Sequence, residues 1–129
     1  MNIENTVKKE LGVKNKQLSL LAKKPNCVSS QAEGKAKKVN PINYSLTEAQ
    51  QMDKVSNVIS NMSGADIKQK TDNYLYAVFT TKIMRFKDDV EVYLDDETKL
   101  LHFRSASRLG YSDLGVNRKR YEAFAKELG

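Results

Sequence analysis

The stretch VEVYLDDETKLLHFRSAS, from Val90 to Ser107, decides the fold. Val90, Val92 and Leu94 recur at every second position, as do Leu101 and Phe103, and side chains two apart in a strand share a face. Glu91 and Tyr93 fall opposite the first set, and His102 and Arg104 fall opposite the second. Two strands with one apolar and one polar-aromatic side follow, joined by the acidic turn Asp95-Asp96-Glu97. A connection that short demands antiparallel neighbours, because a parallel pair needs a crossover of about a dozen residues or more.

Working toward the amino terminus, Tyr74 to Ile83 and Ala65 to Lys70 read as two further strands, with connections at Thr71-Asp72-Asn73 and Lys87-Asp88-Asp89. The expectation is an α+β domain built on a four-stranded antiparallel meander, with two main helices packed on its apolar face and an irregular N-terminal segment. The first helix spans Ser45 to Met62. Ser45 and Glu48 have capping-box spacing, Met52, Val55, Val58, Ile59 and Met62 form an apolar stripe, and Gly64 stands where a left-handed C-cap belongs. The second helix, about Val116 to Leu128, puts Tyr121, Phe124, Ala125 and Leu128 on one face, with Asn117 or Ser112 as N-cap. The other side of the sheet carries Glu91, Tyr93, His102, Arg104 and one set from Tyr74, Tyr76 and Val78. It must be wet, liganded or roofed by the N-terminal segment.

That segment begins with a short helix expected over Asn5 to Leu11, closed by Gly12, and continues with Gln17 to Ala22, an apolar anchor expected to dock on the body. Lys23 to Pro41 is loop-like, with Pro25-Asn26, Ser29-Ser30, Gly34 and Asn40-Pro41 as breakers. The chain therefore divides into a basic leader, residues 1–22, and a single domain, residues 23–129.

The 129 residues suffice for one core without staples. The formal net charge of +6 belongs entirely to residues 1–40, which hold nine lysines, three glutamates and no arginine, while acids and bases balance in the remainder. This lysine-rich third has no aromatic side chain before Tyr44, so it lacks the stacking platforms and arginines of nucleic-acid surfaces, and no nucleic acid is favoured. A solvated leader, or weak membrane-surface or protein contact through it, is the reading that remains. No window reaches the roughly 18 apolar residues of a membrane span, and MNIENTVKKELG lacks the apolar core of a signal peptide. The expected compartment is cytoplasmic, or secreted, periplasmic or lipid-anchored if a signal peptide has been removed. The lone Cys27 excludes an internal disulfide and a cysteine-based zinc cluster.

Chemistry concentrates in RSASRLGYSDLGVNRKR, Arg104 to Arg120, with four arginines, short hydrogen-bonding side chains and two glycines at the passage from last strand to last helix. A strand end feeding a helix N-terminus is a recurrent anion-binding geometry. Asp88, Asp89 and Asp113 supply the opposite charge, so an internal lattice of arginines and carboxylates is the alternative. His102 is the only histidine, and no metal-ligand or nucleophile motif surrounds it. Asp88-Asp89 with Glu91 is a weak cation signal, since strand alternation splits the two aspartates. Neither a metal nor a cofactor is called for. Cys27, in PNCVSSQ, is either a small buried thiol or a nucleophile whose pKa would have to be lowered.

PNCVSSQ, RFKDDVEVYLD and RSASRLGYSDLGVNRKR together resemble the family named domain of unknown function 1499, over about Leu21 to Leu128. The family pattern falls on Asn26, Cys27, Val28 and Ser29, on Phe86, Asp88 and Asp89, and on Arg104, Ser105, Ser107, Arg108, Gly110, Ser112, Asp113, Gly115, Asn117, Arg118 and Arg120. The resemblance implies a compact domain, often secreted, lipid-anchored or plastid-targeted, without an assigned activity. Many members carry a second cysteine shortly before the PNC, where Lys23-Lys24 stand here, which weakens any function resting on a cysteine pair.

The function expected from the residues is binding of a small anionic or polar ligand in a cleft between PNCVSS and the Arg104 to Arg120 passage. Arg104, Arg108 and Arg118 would meet the charge and Ser105, Ser107 and Asn117 would orient it. Asn26, Cys27, Ser29, Asp88, Asp89 and Asp113 would stand behind them. Two alternatives stay open: a non-enzymatic accessory or assembly module at a membrane surface or protein partner, and an enzyme centred on Cys27 with His102.

Overall fold

A computed structural model describes residues 11–110 and 112–129. Its centre is the expected meander, β5 (Ala65–Lys70), β6 (Tyr74–Thr80), β7 (Lys87–Asp95) and β8 (Leu100–Ser107), each strand antiparallel to the next. The sheet is larger than four strands, however. The outer edge of β8 carries two more, β3 (Cys27–Ser29) along Arg104 to Ala106 and β4 (Ile42–Asn43) along Leu100 and Leu101, giving six strands in one sheet. Strands of three and two residues are too short to display alternation, and theirs are embedded in proline, serine and lysine. Between them Ser30 closes the edge, its N–H donating to Phe103 O at 2.8 Å and its Oγ accepting from Phe103 N at 3.0 Å.

A second departure concerns Lys87-Asp88-Asp89, which forms the first three residues of β7 and not a connection. The tight connection lies earlier, at Thr81 to Phe86, closed by Thr81 N–H to Phe86 O (2.9 Å) and Phe86 N–H to Thr81 Oγ1 (2.9 Å). The two aspartates tolerate a central strand because each meets an arginine there, as described below.

Helix α1 (Glu48–Ser60) and helix α2 (Val116–Leu128) cover the apolar face. Met52, Val55 and Ile59 from α1 and Phe124 and Leu128 from α2 pack on Leu75, Ala77, Val90, Val92, Leu94, Leu101 and Phe103. The cap of α1 is Thr47, with a reciprocal box to Gln50, and not Ser45 with Glu48. The same chemistry two residues later leaves Tyr44 free to bury its ring in the core and donate to Asp96 (2.9 Å). Gly64 follows the helix at φ +82°, and a Cβ there would stand 2.4 Å from Thr80 O, so the crossing of chain and strand requires glycine. Neither Asn117 nor Ser112 caps α2: Gly115 does, at φ +81°, and the Asp113 carboxylate accepts from Gly115 N (2.8 Å) and Asn117 N (3.1 Å).

The polar face is roofed by the N-terminal segment. A two-stranded hairpin, β1 (Val13–Lys14) and β2 (Gln17–Leu18), turns through Asn15 and Lys16, both in the left-handed region as a two-residue hairpin turn requires. It lowers Leu18 onto Tyr74 and Tyr93. The helix expected over Asn5 to Leu11 lies, but for Leu11, outside the described residues.

Candidate functional site

Alternation along β7 sends Asp88 to the helix-covered face and Asp89 and Glu91 to the roofed face. Each acid finds a guanidinium from the Arg104 to Arg120 passage. On the helix side, Arg120 Nη2 meets Asp88 Oδ2 at 2.7 Å, while its Nη1 donates to Asn117 Oδ1 (2.8 Å) and Ser105 Oγ (3.2 Å) and its plane lies over the Phe79 ring, 4.7 Å from the centroid. Asn117, fully buried, donates to Asn26 O (2.9 Å), Ser107 Oγ (2.9 Å) and Asp113 Oδ2 (2.7 Å), and its Oδ1 also accepts from Ser105. One amide thereby ties together the chain before β3, the end of β8 and the start of α2.

On the roofed side two clusters lie along the sheet. Arg108 grips Asp89 through Nε (3.2 Å to both oxygens) and Nη2 (3.0 Å), and Tyr76 accepts from Nη2 (3.2 Å) while donating to Asp89 Oδ1 (2.5 Å). Burial first, then the bond to Asp89, pushes the Tyr76 hydroxyl up to about 12. Farther along, Arg104 Nη1 reaches Glu91 Oε1 at 3.3 Å, and its Nε and Nη2 donate to the carbonyls of Ser19 (3.0 Å) and Leu20 (3.2 Å). Glu91, fully buried, also accepts from Tyr74 (2.6 Å) and Gly12 N (2.8 Å). Its burial raises the carboxyl pKa, and the bonds from Tyr74, Gly12 and Arg104 offset this only in part. The roof is thus fastened to the sheet by a carboxylate and a guanidinium, each holding backbone of residues 12–20.

The structure brings Ser105, Ser107, Arg108, Asn117, Asn26, Asp88, Asp89 and Asp113 to one end of the sheet, divided between its two faces, and places Arg104 at mid-strand with Glu91. Arg118 stands apart, donating to the carbonyls of Ala36 (2.9 Å) and Lys38 (3.1 Å) and so pinning the long loop to α2. Among the described residues no buried side-chain nitrogen or oxygen lacks a partner. A cleft of about 500 Å³ does open between residues 17–23 and 29–37, walled by Leu18, Leu20, Lys23, Gln31 and Lys37, yet of the predicted residues Ser29 alone touches it. Sequence reasoning left Arg120 and Tyr76 out of the candidate site. The signal was present in the adjacency of two aspartates within one strand, which alternation forces to opposite faces and which therefore need two separate cations.

Cys27 and His102 do not form a pair. Cys27 lies opposite Ala106 on β8, four residues beyond His102, about 13 Å at the rise of a strand. The buried thiol donates weakly to the carbonyls of Lys24 (3.5 Å) and Ala22 (3.7 Å), and His102 Nδ1 sits 2.9 Å from Ser30 Oγ. Among the described residues no group of three or more histidine, cysteine or acidic side chains is placed to hold a metal ion, and no helix is long and apolar enough to cross a membrane.

Comparison with curated proteins found no match. The model of the family described as "Protein of unknown function (DUF1499)" matches residues 17–128, from the first residue of β2 to the last of α2, and the chain belongs to that family.

Proposed function

We propose that this domain is a non-enzymatic association module, in which the arginine passage is an internal fastening and the molecule acts through the surface loops that this fastening holds at one end of the sheet. The observation that supports it is the direction of the buried guanidiniums: Arg120, Arg108 and Arg104 face Asp88, Asp89 and Glu91 respectively. A lattice closed on itself holds geometry, whereas an anion receptor needs donors aimed into a cavity.

The competing reading is the small anionic or polar ligand between residues 25–30 and the passage, for which Arg104, Arg108 and Arg118 would have to exchange protein acceptors for ligand oxygens. Arg108→Ala separates the two. As a fastening, its loss leaves Asp89 buried with Tyr76 for company and costs about 3 to 5 kcal/mol, a large part of a domain's stability. A thermal-shift screen of phosphates, carboxylates and sulfates then leaves the wild-type Tm unchanged. A dose-dependent rise in Tm with one of these anions, abolished in an Arg108→Ala protein that stays folded, would overturn the module in favour of the receptor.

A further inference from the structure

The end of the sheet held by this lattice presents two loops whose tips are apolar. In the β6–β7 connection all six residues from Lys82 to Lys87 are exposed, and Ile83, Met84 and Phe86 are 90, 64 and 48% exposed. In the passage from β8 to α2, Leu109 and Leu114 are 56 and 87% exposed. The loops leave the sheet side by side, since Arg108 N–H donates to Lys87 O at 3.1 Å and Asp88 pairs with Ser107. Side chains as bare as Ile83 and Leu114 make no contribution to the core. Rooted side by side at one end of the sheet, the two loops carry bare apolar side chains of the kind that marks an interaction surface.

Charge selects the partner. Lys82, Arg85 and Lys87 are interleaved with the apolar tip residues of the first loop, which contains no acid. The acids nearest in sequence are turned away: Asp88 and Asp89 are buried against Arg120 and Arg108, and the Asp113 carboxylate caps α2. Asp66, on the neighbouring strand β5, is paired with Lys68 at 2.6 Å. Long basic side chains beside exposed Ile, Met, Phe and Leu suit a boundary that is anionic outside and hydrocarbon inside, where cations stay with headgroups and apolar tips enter the acyl region.

We infer that this end of the domain, Lys82 to Lys87 with Leu109 and Leu114, docks onto an anionic lipid bilayer. The inference rests on the association-module reading and names the surface that module meets. It assigns the contact to the folded end of the sheet and not to the lysine-rich leader.

The chain has no tryptophan, so a single introduced one reports its own surroundings. The full chain carrying Ile83→Trp, mixed with vesicles of phosphatidylcholine containing phosphatidylglycerol, shows a blue-shifted emission that pure phosphatidylcholine does not produce. Thr71→Trp, at the opposite end of the sheet, shows no shift. In co-sedimentation, binding of the wild type falls with salt, drops about fivefold for each cation neutralised in Lys82→Gln or Arg85→Gln, and is lost in I83D/M84D with Tm unchanged. Binding that persists in I83D/M84D but vanishes in K8E/K9E would overturn the inference by moving the contact to the leader. Absence of any wild-type binding to anionic vesicles would overturn it too, while leaving the fastening role of the arginines, read by the Arg108→Ala measurement, untouched.

Discussion

The two faces of the sheet bury similar residues to different ends. On the helix-covered face, Asp88, Arg120, Asn117 and Ser105 form a polar patch at the rim of an otherwise aliphatic core, and these four side chains come from β7, β8 and α2. On the roofed face, Arg104 and Glu91 hold backbone of residues 12–20, a segment whose buried apolar anchor is Leu18. The same ion-pair chemistry therefore welds two elements already packed by a large core in one place, and substitutes for a core in the other. Breaking it should unfold the domain in the first case and release a segment in the second.

The sharpest way to break the contrast is Arg120→Ala. It strips Asp88 of its cation in an environment where both side chains are less than a tenth exposed, and about 3 to 5 kcal/mol of global stability should go, read as a lower urea midpoint with unchanged m-value. Replacing the pair together, Arg120→Met with Asp88→Leu, should recover most of that loss; no recovery would show that Asn117 and Ser105 depend on the guanidinium itself. Arg104→Ala should act differently, costing about 1 to 3 kcal/mol globally and speeding hydrogen exchange at the Gly12 amide far more than in β7 or β8. Uniform acceleration across the sheet would erase the distinction between the faces.

The smallest effect belongs to His102, on the roofed face. Burial first, with Lys38 nearby, lowers its pKa, and the Ser30 hydroxyl, already accepting from Phe103 N, is satisfied when Nδ1 accepts from it. A histidine whose folded pKa lies below its unfolded value of about 6.5 contributes stability that is complete above that pH and is lost as pH falls toward the folded value. Tm should thus decline modestly as pH drops below about 6.5, and His102→Gln should flatten that part of the profile. An unchanged slope would place the titration elsewhere.

Much of this architecture was legible because β7 and β8 alternate strictly and the apolar stripe of α1 keeps helical spacing. The roof was legible as a requirement: a face carrying Glu91, Tyr93, His102 and Arg104 had to meet something, and residues 11–20 are what it meets. What stayed hidden depends on partners far away in the chain. β3 and β4 are strands only because β8 offers an edge to them, and Ser30 reaches Phe103 across 73 positions. The arginine passage was legible as a polar organisation but not in its direction, because whether a guanidinium faces a carboxylate or a cavity is fixed by Asp88 and Asp89 lying inside β7 instead of in a turn before it.

The two margins of the sheet are unequal in a further respect. Along β8 the hydrogen-bonding rim is covered by β3, Ser30 and β4 in succession, so that margin offers little to an incoming chain. Among the described residues the opposite margin, β5, pairs with β6 alone, and it is interrupted between Ile67 and Gln69 by a bulge and studded with Lys68 and Lys70. Irregular pairing and outward lysines are how natural sheets discourage templated growth. The long strand edge at β5 is therefore guarded against templated growth into fibrils.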